Sequence, residues 1–399
     1  MKFGLADLID TGLAAHVEES RAFNAAAQAS GPPQGPTTHE ELLEARHNLP
    51  ARPPEERAVE RTARAGEREV PVRVITPSSG QPRAAYLDFH GGGFFLGSAA
   101  RNDTRNARLA DAVGAAMVSV DYRLAPEHPW PAAPDDAETA ALWLVDQAPS
   151  LFGTTALVIG GASAGATLAV TTLLRLRDRG IVEPFIGAVL HFGAYDLSGQ
   201  TPGGQRYADE WFVQAYAGKV ADRTVPDVSP LYGDLRGLPP ALLLVGTLDV
   251  LFEDNLAMAA RLAAAGNDVD LRVFPESAHG FTAFPTAMAA AATQGTESWL
   301  LDRFDSASAA PRLSRGPGQA RLLFSTGEPK RSTLPSGSTS APSCCPHSVS
   351  SGPWTSAPAD RHSRASSSAS STNRYADTGP PFSPTVPRWI STPSRVAKP

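Results

Sequence analysis

Apolar positions along this chain follow two rhythms, one near the N-terminus and another through its middle. Leu5, Leu8, Ile9, Leu13 and Val17 fall on one helix face, which predicts an amphipathic helix over residues 1–29. A breaker-rich stretch follows at 30–38 (SGPPQGPTT). Thr38 and Glu41 then stand in the spacing of a capping box and predict a second helix through Leu42 and Leu43. Residues 70–76 (VPVRVIT) alternate as a strand does, with Pro71 better suited to an edge than a centre. From residue 84 onward, short continuous apolar runs take turns with longer periodic segments. Strands are predicted at 84–89, 116–120, 156–159, 186–191, 241–245 and 269–274, and helices at 102–113, 135–147, 164–179, 254–265 and 283–304. Apolar strands without alternation are buried on both sides. The fold class is therefore α/β, a mostly parallel central sheet with helices on both faces. Residues 196–238 interrupt the rhythm and carry one short helical piece, near 207–216.

The pattern stops near residue 305. Residues 305–399 are rich in Ser, Pro and Arg, without apolar periodicity, and such a composition predicts disorder. Charge changes at the same place: 306–399 hold 11 basic and 3 acidic residues, a net of +8, whereas 1–305 carry a net of −14. So abrupt a change, just past a finished helix, also fits out-of-frame translation of a GC-rich gene. The expected organisation is N-terminal helices at 1–50, an α/β domain at 51–304 with the insertion at about 196–238, and a tail at 305–399.

Over all 399 residues the net charge is −6, which gives no signal for nucleic acid or an anionic membrane surface. The only cysteines, Cys344 and Cys345, are adjacent and lie outside the α/β pattern, so a disulfide scaffold is excluded. Asp7 and Asp10 break the apolar run at the N-terminus, which is no secretory signal. No stretch of 18 apolar residues predicts a membrane span, and a cytoplasmic protein is expected.

Gly161-Ala162-Ser163-Ala164-Gly165 fits G-x-S-x-G between a predicted strand and a predicted helix, the context that gives this motif its weight. Glycines two positions to either side relieve the crowding of so sharp a turn, and the helix start supplies N–H groups beside the serine. A small-residue turn reads the same, but a nucleotide loop would need Gly-Lys-Ser/Thr, which is missing. His90-Gly91-Gly92-Gly93 follows a strand, and its glycines let backbone N–H groups face a cavity. Gly92, Gly93 and Ala164 are thus the candidate oxyanion-hole donors for acyl transfer. Asp249 follows the strand at 241–245 and His279 the strand at 269–274, giving the order Ser, Asp, His at separations of 86 and 30 positions. Both sit at C-terminal strand ends, the edge where open α/β sheets place ligands. There His279 takes the serine proton and Asp249 orients the imidazole. Taken alone, Asp249 also reads as a helix cap and His279 as a turn residue. The proline-rich run at 121–136 reads as a rigid connection in which Asp135 or Asp136 caps a helix and His128 has no catalytic part.

Taken together, HGGGF, DYRLAPEHPWPAAPDD, GASAG, Asp249-Val250-Leu251 and His279-Gly280-Phe281 resemble the hormone-sensitive-lipase-like branch of the α/β-hydrolases, bacterial family IV esterases above all, over about 42–304. The resemblance implies the α/β-hydrolase fold with a small helical cap built from 1–50 and 196–238. It implies a Ser163–His279–Asp249 triad that cleaves short- to medium-chain acyl esters through an acyl-enzyme, with no metal and no organic cofactor. It further implies that His90 and Gly91 support the oxyanion loop and that His90 is not the base. Two positions depart from the pattern: Ala162 stands where the branch usually has Asp or Glu, and Val250 where it has Pro. The rival reading is a non-catalytic small-molecule receptor on the same fold, but such relatives have lost the histidine that is present here as His279. A small-molecule ester is the expected partner, with no nucleic acid. The natural ester, its stereochemistry and the oligomeric state, a homodimer included, are left open.

Overall fold

The computed structural model describes residues 4–29, 36, 38–50 and 52–309. Cys344, Cys345 and the tail expectation therefore lie outside the described residues, except that 305–309 continue the last helix. The first segment is not one helix. Two 3-10 turns, Leu5–Leu8 and Thr11–His16, precede helix α1 (Val17–Ala29). The Asp10 carboxylate accepts from Gly12 N at 2.8 Å, and this local cap redirects the chain inside the expected helix. Helix α2 (His39–His47) starts as its capping residue predicts, with Thr38 Oγ1 accepting from Glu41 N at 3.1 Å.

Next come strands β1 (Val59–Ala65), β2 (Arg68–Ile75) and β3 (Ala84–Phe89), helix α3 (Asp103–Val113), β4 (Ala115–Val120), α4 (Ala132–Phe152), β5 (Leu157–Ala162) and α5 (Ala164–Asp178). The chain continues through β6 (Phe185–His191), α6 (Trp211–Ala217), β7 (Ala241–Gly246), α7 (Phe252–Ala264), β8 (Val269–Phe274) and α8 (Ala287–Ala309). The strands form one sheet in the order β1-β2-β4-β3-β5-β6-β7-β8, antiparallel up to β4 and parallel from β4 to β8.

The charged sequence VERTARA carries no strand rhythm, yet it forms the outer strand β1 with most side chains exposed. Backbone pairing places it there, and consequently Pro71 of β2 is not at an edge. Its carbonyl accepts from Asp121 N at 3.0 Å, just past the end of the β2–β4 ladder. The missing Pro N–H points the same way, so only the last rung of that ladder is lost. Helix α4 begins at Ala132, earlier than predicted, and neither Asp135 nor Asp136 caps it. Proline and alanine enter a first turn without a side-chain cap. Asp136 instead accepts from Arg123 Nη2 at 2.7 Å and Arg123 N at 2.9 Å, and Asp135 from Arg175 Nη1 at 2.9 Å.

Alternate residues of the central strands feed two cores. Ala85, Leu87 and Phe89 of β3 join α4, α5 and α7, whereas Ala84 and Tyr86 join α3 and α8 on the other face. The chain winds from β3 to β4 on one side and then to β5 on the other. The crevice at this reversal opens at the C-terminal ends of β3 and β5. No described helix is long and apolar enough to cross a membrane.

Candidate active site

Ser163 occupies the turn between β5 and α5 with φ +55°, a conformation that costs energy for any residue with a side chain. The turn is tight because both strands flanking it approach closely. A Cβ on Gly161 would lie 2.5 Å from Phe89 O, and one on Gly165 would overlap the same carbonyl. Ser163 N donates to His191 O of the neighbouring strand at 2.9 Å, and Ser163 O accepts from Ala166 N at 2.9 Å. The elbow is thereby held at both ends. Ala162 is half-buried and packs among apolar side chains.

Asp249 and His279 come from two loops that grip each other. Leu248 N donates to Ser277 O at 3.0 Å, and Glu276 N to Thr247 Oγ1 at 3.0 Å. A Cβ at Gly246 would collide with the Ser277 carbonyl, so glycine there permits the crossing. His279 Nδ1 lies 3.0 Å from both Asp249 Oδ1 and Oδ2, and His279 Nε2 lies 3.1 Å from Ser163 Oγ. A proton on Nδ1, shared with the carboxylate, leaves Nε2 as the acceptor facing the serine hydroxyl. All three side chains are buried, so their mutual hydrogen bonds operate with little competition from water. Asp249 Oδ1 also accepts from Leu251 N at 2.8 Å, which keeps the carboxylate in place without making it the cap of α7. From the other side, Asn24 Nδ2 of α1 donates to Glu276 O at 2.6 Å, tying the N-terminal helix to the His279 loop.

The glycine run lies across the crevice from this pair. Gly92 and Gly93 have φ of +124° and +58°, and a Cβ on Gly92 would overlap Leu96 O. The Gly92 carbonyl turns back to accept from Phe95 N at 3.1 Å and Leu96 N at 2.9 Å. Among the described residues, no acceptor meets the N–H of Gly92, Gly93 or Ala164. Gly91 sits against the turn, where a Cβ would come 2.8 Å from Ala162 O. His90 is buried with Nδ1 donating to Gly91 O at 2.8 Å. Burial disfavours the charged form of the His90 ring and lowers its pKa. Its ring stacks on Tyr122 at 4.2 Å, and Tyr122 Oη donates to His90 O at 2.7 Å. Tyr122 belongs to the run at 121–136 that reads as a plain connection. Its part in holding His90 rests on a contact across two strands, and local sequence carries no sign of it.

The segment after β6 is anchored to α7 by Asp254. Its Oδ2 accepts from Tyr207 Oη at 2.7 Å, from Asp196 N at 3.2 Å and from Tyr195 N. Burial raises the carboxyl pKa from 3.8 to about 6. Ionisation is therefore disfavoured in the folded state relative to the unfolded chain. The stability that the protonated form contributes is complete below about pH 4 and lost as pH rises through about 6. Asp254→Asn removes this dependence. Its stability relative to wild type should shift in its favour by on the order of 2–3 kcal/mol between pH 4 and pH 7. Denaturant unfolding at both pH values measures the shift, and a constant difference would contradict it.

A family model described as the alpha/beta hydrolase fold matches residues 86–283. The ethyl acetate hydrolase of Pseudomonas putida is 37% identical over 227 residues, covering 53% of this chain and 71% of that protein. Among solved structures, an esterase from Pyrobaculum calidifontis superposes with a TM-score of 0.58 at 30% identity, covering 72% of this chain and 91% of its own. A hormone-sensitive lipase from a metagenome library gives a TM-score of 0.60 at 27% identity, covering 71% of this chain and 98% of its own.

Proposed function

Since the chain belongs to the hormone-sensitive-lipase-like branch of the α/β-hydrolases and is a serine-dependent carboxylic ester hydrolase, we propose that Ser163, His279 and Asp249 are its catalytic triad. The unbroken run of hydrogen bonds from Asp249 through His279 to Ser163, at 3.0 and 3.1 Å, carries this reading. Ser163 Oγ attacks the ester carbonyl while His279 Nε2 takes its proton. The carbonyl oxygen gains charge and receives hydrogen bonds from the N–H groups of Gly92, Gly93 and Ala164. His279 then protonates the departing alkoxide, leaving an acyl-enzyme on Ser163. Water, deprotonated by the same imidazole, releases the acid. Every proton in the cycle moves between protein, substrate and water, so no metal or organic cofactor is needed. His90 takes no proton in this scheme; it holds the Gly91 carbonyl and with it the donor loop.

Two segments form the cap in this reading. Leu42 of α2 packs with Phe95 and Leu96, and Trp211 and Phe212 of α6 close over the same cluster. Phe212 Cβ lies 3.2 Å from where a Cβ on Gly93 would stand, and the Phe95 ring is closer still. Aromatic side chains so near the oxyanion donors favour short acyl groups over long ones. The relative from Pseudomonas putida, an ethyl acetate hydrolase by name, is consistent with a small acyl group.

A fluorophosphonate probe and a series of p-nitrophenyl esters test the proposal together. Stoichiometric labelling and fastest turnover of acetate to butyrate esters are expected. A chain that binds esters but resists the probe would be the receptor of the rival reading.

A further inference from the structure

We infer that Phe192, locked in place by Asn255, is a positioning residue that holds the imidazole of His279 in line with Ser163. The inference rests on the triad proposed above. Phe192 directly follows β6 and has φ +39°, a left-handed backbone at a bulky residue. Such strain persists only where the surroundings impose it, and it concentrates at functional sites. The Phe192 ring is buried and meets the His279 ring edge-to-face, at a centroid distance of 4.9 Å and an interplanar angle of 67°. Phe281 also meets the Phe192 ring, at 6.1 Å, and packs on Phe274 at 5.0 Å, so the ring sits within an aromatic cluster.

Hydrogen bonds alone leave His279 a degree of freedom. Asp249 fixes where Nδ1 points, but the ring can still swing about the line joining Nδ1 to the carboxylate. An aromatic wall removes that swing. The wall matters through the whole cycle, because Nε2 has to face the serine, the leaving alcohol and the incoming water in turn.

Several contacts hold Phe192 where it is. Its N–H donates to Leu244 O at 2.7 Å. The next residue, Gly193, is clamped on both polar groups by the buried side chain of Asn255. Gly193 N donates to Asn255 Oδ1 at 3.2 Å, and Asn255 Nδ2 donates to Gly193 O at 2.9 Å. Asn255 also donates to Leu251 O at 2.8 Å, two residues beyond Asp249. On the other side of Phe192, His191 O takes the N–H of Ser163 at 2.9 Å. The stretch 191–193 thus touches the nucleophile's backbone, the imidazole ring and the helix that follows the carboxylate. A residue that merely filled the core would have no need of a left-handed backbone or of this clamp.

The test compares Phe192→Leu and Asn255→Ala with Phe304→Leu. Phe304 is buried in α8 beside Arg83, which precedes β3, at the end of the sheet away from the site. Steady-state hydrolysis of p-nitrophenyl acetate and thermal unfolding are measured for each. Phe192→Leu and Asn255→Ala should lose about 10- to 100-fold in kcat with KM within about 2-fold of wild type. Phe304→Leu should lose a comparable amount of Tm and keep its kcat. If Phe192→Leu behaves as Phe304→Leu does, the positioning role is wrong. Should Phe192→Leu fail to fold, Asn255→Ala, which keeps the ring, decides alone: a kcat within about 2-fold of wild type overturns the inference. Full activity of Ser163→Ala would instead overturn the triad itself, and the two failures are thereby separable.

Discussion

Ser163→Ala should lower kcat for p-nitrophenyl acetate by about 10⁵- to 10⁶-fold, the largest loss expected of any single substitution here. In the proposed mechanism Oγ is the attacking atom, so its removal closes the covalent route and leaves only the proposed oxyanion donors and the cleft to speed attack by water. Neighbouring residues offer no replacement. Ser277 lies in the His279 loop but its hydroxyl donates to Pro275 O at 3.0 Å, and Thr167 Oγ1 donates to Ala194 O at 2.6 Å. Alanine suits the same strained turn no worse than serine, so Tm should hold within a few degrees. Loss of fluorophosphonate labelling together with loss of turnover is the expected pair of results. Retention of both by a purified variant would mean that the nucleophile lies elsewhere.

Asp249→Asn should cost about 10⁴-fold in kcat while leaving the fold intact. The carboxylate accepts from His279 Nδ1 with both oxygens at 3.0 Å. An amide of the same shape can still accept from Leu251 N, now made to Asp249 Oδ1 at 2.8 Å, so the loop before α7 keeps its anchor. What changes is the imidazole. An amide N–H turned toward Nδ1 favours the tautomer with its proton on Nε2, which then donates to Ser163 and cannot take the serine proton. The positive charge formed during attack also loses its counter-ion, in a buried site where that loss is felt strongly. Single-turnover acylation by p-nitrophenyl acetate measures this directly. A loss below about 10-fold would show that His279 does not depend on Asp249 for its orientation.

Much of this site is visible as a string of letters. G-x-S-x-G, HGGG, and an Asp and a His each placed after an apolar strand are local features, because a strand end followed by a glycine-rich turn is written in consecutive residues. The parallel strands are equally legible, since burial on both faces demands unbroken apolar runs such as 241–245. Elements held by partners far along the chain behave differently. Strand β1 is charged and exposed, and it exists because β2 offers a free edge. The N-terminal segment has a helical rhythm, yet Asp10 breaks it through one side-chain hydrogen bond. Asp135 and Asp136 look like caps from their place at a helix start, but arginines brought in from elsewhere take both carboxylates.

The same division runs through Ser163 and its surroundings. Residue type and order along the chain mark Ser163 as the candidate nucleophile on a strand-to-helix turn, because such a turn requires small neighbours at fixed offsets. Folding alone brings His279 Nε2 within 3.1 Å of Ser163 Oγ, sets Phe192 against the imidazole and stacks Tyr122 under His90. Those contacts join residues tens of positions apart, and they depend on which strands become neighbours and in what register. No local pattern encodes such neighbours, so only the assembled sheet decides them.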